Sequence, residues 1–219
     1  RLACSNCKKM VRFFCYHCQC LVNEGDRARI PQVKLPVKLD ILKHHHEKDG
    51  KSTAVHAKIL APEDTTIYSY PNNPITIDDP SRCLLLFPGP DAHTLEQIDP
   101  QSFDRVIVID GTWKQARAMA RTSPELNTLR KVTIRPRTTC FWRFQQDDDA
   151  HMATIEAIYF LYREYYEAYL SSASPNLTAT AMDYDNLLFY FKYFYRMIQN
   201  IYRANRKKTY CRRHQAGYI

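Results

Sequence analysis

The sequence is poor in glycine, and this scarcity excludes two common nucleotide-binding motifs. Only five glycines occur in 219 residues. They form neither the G-x-G-x-x-G dinucleotide fingerprint nor the G-x-x-x-x-G-K-[ST] phosphate-binding loop. A nucleotide-like cofactor would therefore have to be held by a different backbone arrangement.

Long apolar runs are also missing. None approaches the roughly 18 residues that a transmembrane helix needs, so we expect no membrane span and no membrane partner. The chain is 45% hydrophobic and 25% charged, which is typical of a globular protein. It begins with Arg1 and not with Met. We therefore expect a trimmed sequence, which tells nothing of a targeting segment before it.

Acidic residues are outnumbered, and the formal net charge is +8. This excess favours an anionic partner such as RNA, DNA or an anionic lipid. Charge alone is weak support for this, because many basic proteins bind no nucleic acid.

Cysteine, in contrast, is concentrated at the amino terminus. Four of the eight cysteines form two C-x-x-C pairs, Cys4 with Cys7 and Cys15 with Cys18. Two such pairs typically surround one tetrahedral Zn²⁺ ion. The four thiolates fill every coordination position, which is typical of a structural and not a catalytic zinc site. A segment this short cannot bury a core unaided, so metal binding would supply its folding energy. We predict a zinc-binding module over residues 1–30.

Other interpretations of these cysteines stay open. Cys20 or His17 could replace Cys18 as the fourth ligand, and disulfides or free thiols are the alternative to a metal site. Reduced, metal-bound cysteines favour a location inside the cell, in the nucleus, the cytoplasm or both.

The rest of the chain alternates between strand and helix patterns. Residues 82–87 and 105–110 are apolar runs that suit strands buried on both faces, and 65–70 and 131–135 predict two more strands. Residues 33–42 alternate, which predicts a half-buried strand. We place it near a sheet edge, because Pro36 cannot donate a ladder hydrogen bond.

Helices are predicted between these strands and at the end of the chain. Ser52-Thr53 can cap a helix that runs to Leu60, and Thr112 with Gln115 matches a capping box for a helix from Trp113 to Arg121. Apolar stripes predict helices over 154–170 and 184–203, whose tyrosines suit core packing better than RNA stacking. The alternation predicts an α/β fold with a mostly parallel sheet covered by helices.

Ligands of open parallel sheets bind beyond the carboxyl ends of the strands, and Asp110 lies at such an end. Its carboxylate could brace the following helix, or it could orient or deprotonate a substrate. Trp113 opens that helix and could pack against an adenine or a sulfonium, or be buried in the core. The histidines at 44–46 are interpreted as loop residues, since consecutive side chains do not converge on one metal ion.

Aromatic and basic residues near residue 140 could bind nucleic acid, because bases stack on such rings and phosphates pair with such cations. A basic tail follows the last predicted helix. It could hold an RNA backbone or simply be a solvated helix end.

Asp110-Gly111-Thr112-Trp113 matches the D-x-T-W signature of the DTW-domain family. Other segments of the chain match as well: the paired C-x-x-C motifs, Glu47 through Lys51-Ser52-Thr53-Ala54, L-L-F-P-G at 85–89, C-F-W-R at 140–143, T-I-E-A-I at 154–158 and D-N-L-L-F at 185–189. The chain resembles the DTW-domain tRNA-uridine aminocarboxypropyltransferases, and is similar to the eukaryotic branch that carries a four-cysteine module.

This resemblance implies a SPOUT-like catalytic domain over residues 31–219, with a knotted carboxyl-terminal part and a basic tail. It implies that S-adenosylmethionine is the co-substrate and tRNA the partner. The 3-amino-3-carboxypropyl group would pass to N3 of a uridine in the tRNA D-loop, which gives acp3U and methylthioadenosine. The oligomeric state stays open, with a monomer favoured.

Roles for individual residues follow from the same resemblance together with the chemistry of their side chains. The expected catalytic residues are Asp110, Thr112 and Trp113. The expected cofactor-binding residues are Leu86, Phe87, Pro88, Gly89, Trp113, Thr154, Ser52 and Thr53. The expected RNA-binding residues are Lys51, Arg137, Phe141, Trp142, Arg143, Arg206, Lys207 and Lys208.

The chain departs from the family at one position: Ala153 stands where the family usually has serine, which removes one possible hydroxyl contact. Thr154 and Glu156 match, so we expect binding to survive. Two rival functions remain at this stage. One is an RNA methyltransferase that uses the same cofactor, and the other is a non-catalytic zinc-module protein that only binds tRNA.

Overall fold

A computed structural model describes residues 1–73, 75–141, 152–171 and 181–204. Its centre is a six-stranded sheet in which every neighbouring pair of strands is parallel. Four short strands precede the sheet in the chain: β1 (Leu2–Ala3), β2 (Met10–Val11), β3 (Phe14–Cys15) and β4 (Cys20–Leu21). The sheet itself comprises β5 (Lys38–His44), β6 (Thr65–Tyr70), β7 (Cys83–Leu86), β8 (Ala92–His93), β9 (Arg105–Asp110) and β10 (Arg130–Val132).

The strand order is β6-β5-β9-β7-β10-β8. Strand β9 lies inside the sheet, with β5 and β7 on either side. Its residues from Val106 to Asp110 are all buried, as expected for a continuous apolar strand covered on both faces. Lys43 pairs with Asp110 in the register, so the two strands end together at the same edge of the sheet.

Helices cover both faces of the sheet. They are α1 (Ala54–Leu60), α2 (Trp113–Thr122), α3 (Pro124–Asn127), α4 (Thr154–Tyr165), α5 (Ala181–Asp185) and α6 (Phe189–Ala204). One face packs Leu39, Val106 and Val108 against α1, α4 and α6. The other packs Ile107 and Ile109 against α2 and the residues that follow it. Successive side chains of a strand point to opposite faces of the sheet, so alternate residues of β9 belong to different cores.

The structure confirms the predicted α/β fold with a parallel sheet, and corrects two details. Strand β5 lies between β6 and β9, so the edge placement was wrong. Pro36 precedes the first residue of that strand, Lys38, and its missing N–H therefore interrupts no ladder bond. The predicted helix over 184–203 is broken, because a 3₁₀ turn at Asn186–Leu188 separates α5 from α6.

The tyrosines of the predicted helix 154–170 belong to the core, as expected. Tyr162 is fully buried and its hydroxyl donates to the carbonyl of Val37 at 3.2 Å. The last turn, Tyr166–Leu170, is a π-helix. There the Tyr169 hydroxyl reaches the carbonyl of Ile98 at 2.8 Å. The hydroxyls of Tyr162 and Tyr169 thus bond to backbone carbonyls inside the protein, as core packing predicts. No described helix has the length and hydropathy that a membrane crossing requires.

The amino-terminal strands pack on the last helix. Phe14 is buried, and its ring centroid lies 4.9 Å from that of Tyr190 on α6 in an edge-to-face arrangement. Phe13 meets Tyr193 in the same way at 5.1 Å. Phe14 and Leu21 also belong to the core that covers one face of the sheet. The cysteine-rich segment is therefore held against the larger domain by apolar contacts.

Candidate active site at the end of the sheet

Asp110 connects three segments that are distant in the sequence. One carboxylate oxygen accepts a hydrogen bond from the Ser52 hydroxyl at 2.7 Å, and the other accepts one from the Thr154 hydroxyl at 2.5 Å. Ser52 precedes α1 and Thr154 is the first residue of α4. The expected site residues on these segments are thus brought together at the carboxyl end of β9.

Burial changes the acid–base properties of Asp110, which is 2% exposed. Loss of solvent raises the pKa of this carboxyl group, while the hydroxyls of Thr154 and Ser52 and the charge of Lys43 partly offset the rise. The carboxylate is buried and both of its oxygens accept a protein hydroxyl. Thr154 is partly exposed, whereas Ser52 is buried.

A second contact ties α4 to α1. The hydroxyl oxygen of Thr53 accepts a hydrogen bond from the backbone N–H of Ile155 at 3.1 Å. The first N–H groups of a helix have no partner inside it, and Ala153 has no side-chain oxygen to cap them. Thr53 therefore supplies from another segment the capping contact that α4 lacks locally.

Glu156, which is not among the expected site residues, organises the segment before α4. It is fully buried and accepts hydrogen bonds from the Thr139 hydroxyl at 2.6 Å, the Cys140 N–H at 3.0 Å and the Ala153 N–H at 2.8 Å. The only local signal was its position in the first turn of a helix. Nothing local shows that Thr139 and Cys140 fold back onto it.

The predicted capping box begins α2. The Gln115 N–H donates to the Thr112 hydroxyl oxygen at 3.4 Å, and the Thr112 N–H donates to the Gln115 side chain at 2.8 Å. Gly111 lies in a narrow space beside them. A Cβ atom there would stand 3.1 Å from the Gln115 side-chain oxygen and 3.3 Å from the Cβ of His44, so the turn leaves little room for a side chain.

Two aromatic residues lie at the same edge of the sheet. Trp113 opens α2 and Phe87 follows β7, and their ring centroids are 6.1 Å apart at an interplanar angle of 46°. Both rings are partly exposed. Leu86 is also partly exposed, and the Pro88-Gly89 turn is exposed. Five of the expected cofactor-binding residues, from Leu86 to Gly89 and Trp113, thus leave partly apolar, accessible surface at the edge of the sheet where β9 ends.

The expected RNA-binding residues have different environments. Lys51 is exposed in the loop before α1. Arg137 contacts its own chain: it donates to Glu164 at 3.2 Å and its guanidinium lies 4.4 Å from the centroid of the Phe160 ring. Phe141 is 7% exposed and belongs to the core. The remaining expected residues lie outside the described part of the chain: Trp142, Arg143, Arg206, Lys207 and Lys208.

Glu164 is another buried acid that the sequence did not reveal. It is 1% exposed and accepts hydrogen bonds from the Arg135 backbone N–H at 3.1 Å and from the Arg137 side chain. These two hydrogen bonds hold the segment after β10 against α4. No sequence pattern marked Glu164, because its donors come from a distant segment.

The four cysteines of the paired motifs form a candidate metal centre. Their sulfur atoms all lie within 4.8 Å of one another. Tetrahedral zinc with Zn–S bonds of about 2.3 Å places its sulfurs about 3.8 Å apart, so the cluster could hold a zinc ion. Cys20 is not a member of this group, and its sulfur lies 3.8 Å from the Asn6 side chain.

The backbone of each C-x-x-C pair bends in the same way. The Lys8 N–H donates to the Cys4 carbonyl at 3.0 Å, and the Gln19 N–H donates to the Cys15 carbonyl at 2.8 Å. Lys8 and Gln19 have positive φ values of 62° and 55°. These paired turns direct the two sulfurs of each motif to one point, which fits a metal site with four thiolate ligands.

Comparisons with known proteins identify the family of the chain. The DTW domain matches residues 12–199. A Mus musculus protein named tRNA-uridine aminocarboxypropyltransferase 1 is 34% identical over 91% of this chain and 78% of its own length. The Homo sapiens protein of that name is 34% identical over 95% of this chain and 81% of its own length. A Drosophila melanogaster protein named tRNA-uridine aminocarboxypropyltransferase 2 is 35% identical over 43% of this chain. No solved structure matches the chain.

Proposed function

Because the chain belongs to the DTW domain family, we propose that it is a tRNA-uridine aminocarboxypropyltransferase. The proposed reaction moves a 3-amino-3-carboxypropyl group to N3 of a uridine in the tRNA D-loop. The observation that carries this proposal is the similarity to enzymes with that name over almost the whole chain. Three of the matched motifs meet in the fold, since Ser52 and Thr154 both bond to Asp110, and this geometry adds to the support.

S-adenosylmethionine is the proposed donor, and its sulfonium makes the γ-carbon of the aminocarboxypropyl arm open to attack by a nitrogen. Phe87 and Trp113 offer the apolar surface that an adenosyl group and a methyl substituent need. Phe87 and Trp113 would exclude water from the methyl side of a bound donor, so the longer arm would be the substituent open to the base. Selection of the arm over the methyl is therefore a matter of orientation.

Asp110 and Thr154 are the proposed route for the proton of uridine N3. N3 is a poor nucleophile until this proton leaves. The Thr154 hydroxyl is partly exposed and donates to the buried carboxylate. It can take the N3 proton while its own proton passes to Asp110, whose raised pKa makes it a better acceptor. The pre-existing hydrogen bond fixes the direction of this transfer.

The other parts of the chain receive supporting roles. The four-cysteine site is proposed to bind structural Zn²⁺, since four thiolates leave no open position. We also propose that the catalytic domain has a SPOUT-like fold with a knot. The proposed location is inside the cell, where tRNA is found. Lys51 and the basic residues after α6 are proposed to contact the RNA backbone.

The test is nucleoside analysis by mass spectrometry. The purified protein is incubated with S-adenosylmethionine and unmodified tRNA, and the tRNA is then digested. We expect a uridine whose mass has risen by one aminocarboxypropyl group, together with released methylthioadenosine. A methylated base with S-adenosylhomocysteine would replace this proposal by the methyltransferase alternative. Binding of tRNA without any modified nucleoside would leave the non-catalytic alternative.

A further inference from the structure

A cavity lies between the cysteine-rich module, the loop before α1 and helix α6. Its volume is about 230 Å³. The side chains that line it include Tyr16, Lys51, Ser52, His56, Phe194 and Met197. Pockets for drug-sized ligands occupy roughly 300–1,000 Å³, so this cavity suits a smaller group, such as a single base.

The cavity adjoins the candidate active site without containing it. Ser52 lines the cavity and donates its hydroxyl to Asp110 at 2.7 Å. Phe87 and Trp113, which offer the surface proposed for the donor, do not line it. One side chain therefore separates the cavity from the proposed site of proton transfer.

His56 gives the cavity an unused hydrogen-bonding group. It is 2% exposed, and its Nδ1 atom is buried without a partner in the described part of the chain. Burial lowers the pKa of His56 to about 3, so the ring is neutral at physiological pH. A buried polar group without a partner is costly, and a ligand that supplies one would remove this cost.

The rest of the wall suits a flat aromatic ligand next to a phosphate. The Phe194 ring stacks near His56, with centroids 5.8 Å apart and an interplanar angle of 25°. Lys51 is exposed and makes no ion pair with any described residue. The Arg12 guanidinium lies 3.8 Å from the Met197 sulfur and brings a second cation to that wall.

We propose that this cavity binds an unstacked base of the tRNA next to the uridine that is modified. The base lies among the aromatic side chains and bonds to His56, while Lys51 and Arg12 bind the adjoining phosphates. A donor adenine shares the flat shape, but S-adenosylmethionine has a single carboxylate beside two positive groups, whereas RNA offers a phosphate to each cation. The two cations therefore favour RNA. This inference rests on the proposed function only in taking tRNA as the substrate.

Photocrosslinking tests the occupant directly. The probe is tRNA with a single 4-thiouridine, placed either at the modified position or at a position beside it. Irradiation followed by peptide mass spectrometry should link the neighbouring position to peptides that contain Tyr16, Phe194 or Met197. Links to these peptides from the modified position alone would overturn the proposal, because the cavity would then hold the target uracil. Loss of these links when S-adenosylmethionine is added would also overturn it, because the donor would then occupy the cavity. This readout needs no turnover, so it stands even where transfer fails.

Binding measurements with matched variants provide the second test. We expect Lys51→Ala and His56→Leu each to weaken tRNA binding about tenfold, with unchanged affinity for S-adenosylmethionine. Lys51→Ala should also reduce the slope of log affinity against log salt by about 0.7, the value for one single-strand phosphate contact. Lys48→Ala, an exposed lysine of the same loop, is the control and should bind as wild type. Equal losses in Lys48→Ala and Lys51→Ala would overturn the assignment of a phosphate to Lys51. Thermal unfolding of His56→Leu establishes that the variant is folded, and wild-type binding by that folded variant would remove His56 from the site.

Discussion

Ser52 donates its hydroxyl to the Asp110 carboxylate at 2.7 Å, although 58 positions separate the two residues in the sequence. This bond fixes the loop before α1 against the end of β9. Thr154 reaches the other oxygen of the same carboxylate from α4. The positions of the Ser52 and Thr154 hydroxyls therefore depend on one buried side chain, which makes Asp110 the natural first target for mutation.

Asp110→Asn should slow catalysis strongly while the protein stays folded. Asparagine keeps the volume and removes the cost of a buried charge, but it cannot accept a proton. We expect kcat to fall by at least about 100-fold, the smaller end of general acid–base effects. Transfer rates and thermal unfolding midpoints measure the two effects separately.

Asp40→Asn is the matched control for this variant. Asp40 is equally buried on the neighbouring strand β5, where it pairs with Arg105 at 2.5 Å. Its loss should lower stability and leave the rate below the unfolding transition nearly unchanged. A large loss of rate in Asp40→Asn, or none in Asp110→Asn, would contradict the proposed role of Asp110.

Glu156→Gln should destabilise the protein by at least about 2 kcal/mol, because hydrogen bonds to a charged acceptor contribute about 1.5–3 kcal/mol each. Glutamine can accept only at its oxygen, whereas Glu156 accepts from Thr139, Cys140 and Ala153. Urea unfolding measures the change. Glu125→Gln replaces an exposed acid at the start of α3 and should change stability by less than about 0.5 kcal/mol. Equal losses of unfolding free energy in the two variants would show that the hydrogen bonds to Glu156 do not stabilise the fold.

His56 should make the protein sensitive to acid. Its pKa is lowered by burial to about 3 in the folded chain, against 6.5 when exposed. Between these values the unfolded state binds the extra proton, so the free energy of unfolding falls as the pH drops from 6.5 towards 3. Each pH unit in this window removes up to about 1.4 kcal/mol.

His56→Leu isolates this contribution. Urea unfolding of both proteins at pH 7.5 and pH 5.5 gives a double difference in which other titrating groups cancel. Wild type should lose about 1 kcal/mol more than the variant over this interval. Parallel losses would mean that His56 is protonated as easily in the folded chain as in the unfolded one.

The cysteine variants test the metal centre. Wild type and Cys20→Ser should each contain one zinc ion per chain, whereas Cys7→Ser and Cys18→Ser should bind it weakly or not at all. Elemental analysis of the purified proteins measures the metal directly. Loss of zinc should also release Phe14 from α6, since metal binding supplies the folding energy of such small modules. Full zinc content in Cys18→Ser with loss in Cys20→Ser would reverse the ligand assignment.

Local patterns predicted much of this fold. The run at 105–110 indicated a buried strand, and Thr112 with Gln115 indicated the start of a helix, because both signals are complete within a few residues. The place of β5 in the sheet was not predictable in the same way. Pro36 suggested an edge, but strand order depends on packing with segments far along the chain.

The site was predictable in its residues more than in its connections. Asp110 was expected there because a carboxylate ends an apolar strand, and Ser52 and Thr154 were expected because their segments match the DTW-domain family. That both hydroxyls would bond to one carboxylate was not, and neither was the burial of Glu156 and Glu164. Such acids look like surface residues until their distant donors are known.

The most direct test of the central claim uses donor labelled in two places. One sample of S-adenosylmethionine carries the label in the carboxyl group of its aminocarboxypropyl arm, and the other carries it in the methyl group. We expect label to enter tRNA from the first donor only, in amounts that approach one group per acceptor uridine. Entry of label from the methyl donor, with none from the carboxyl donor, would contradict the proposed reaction.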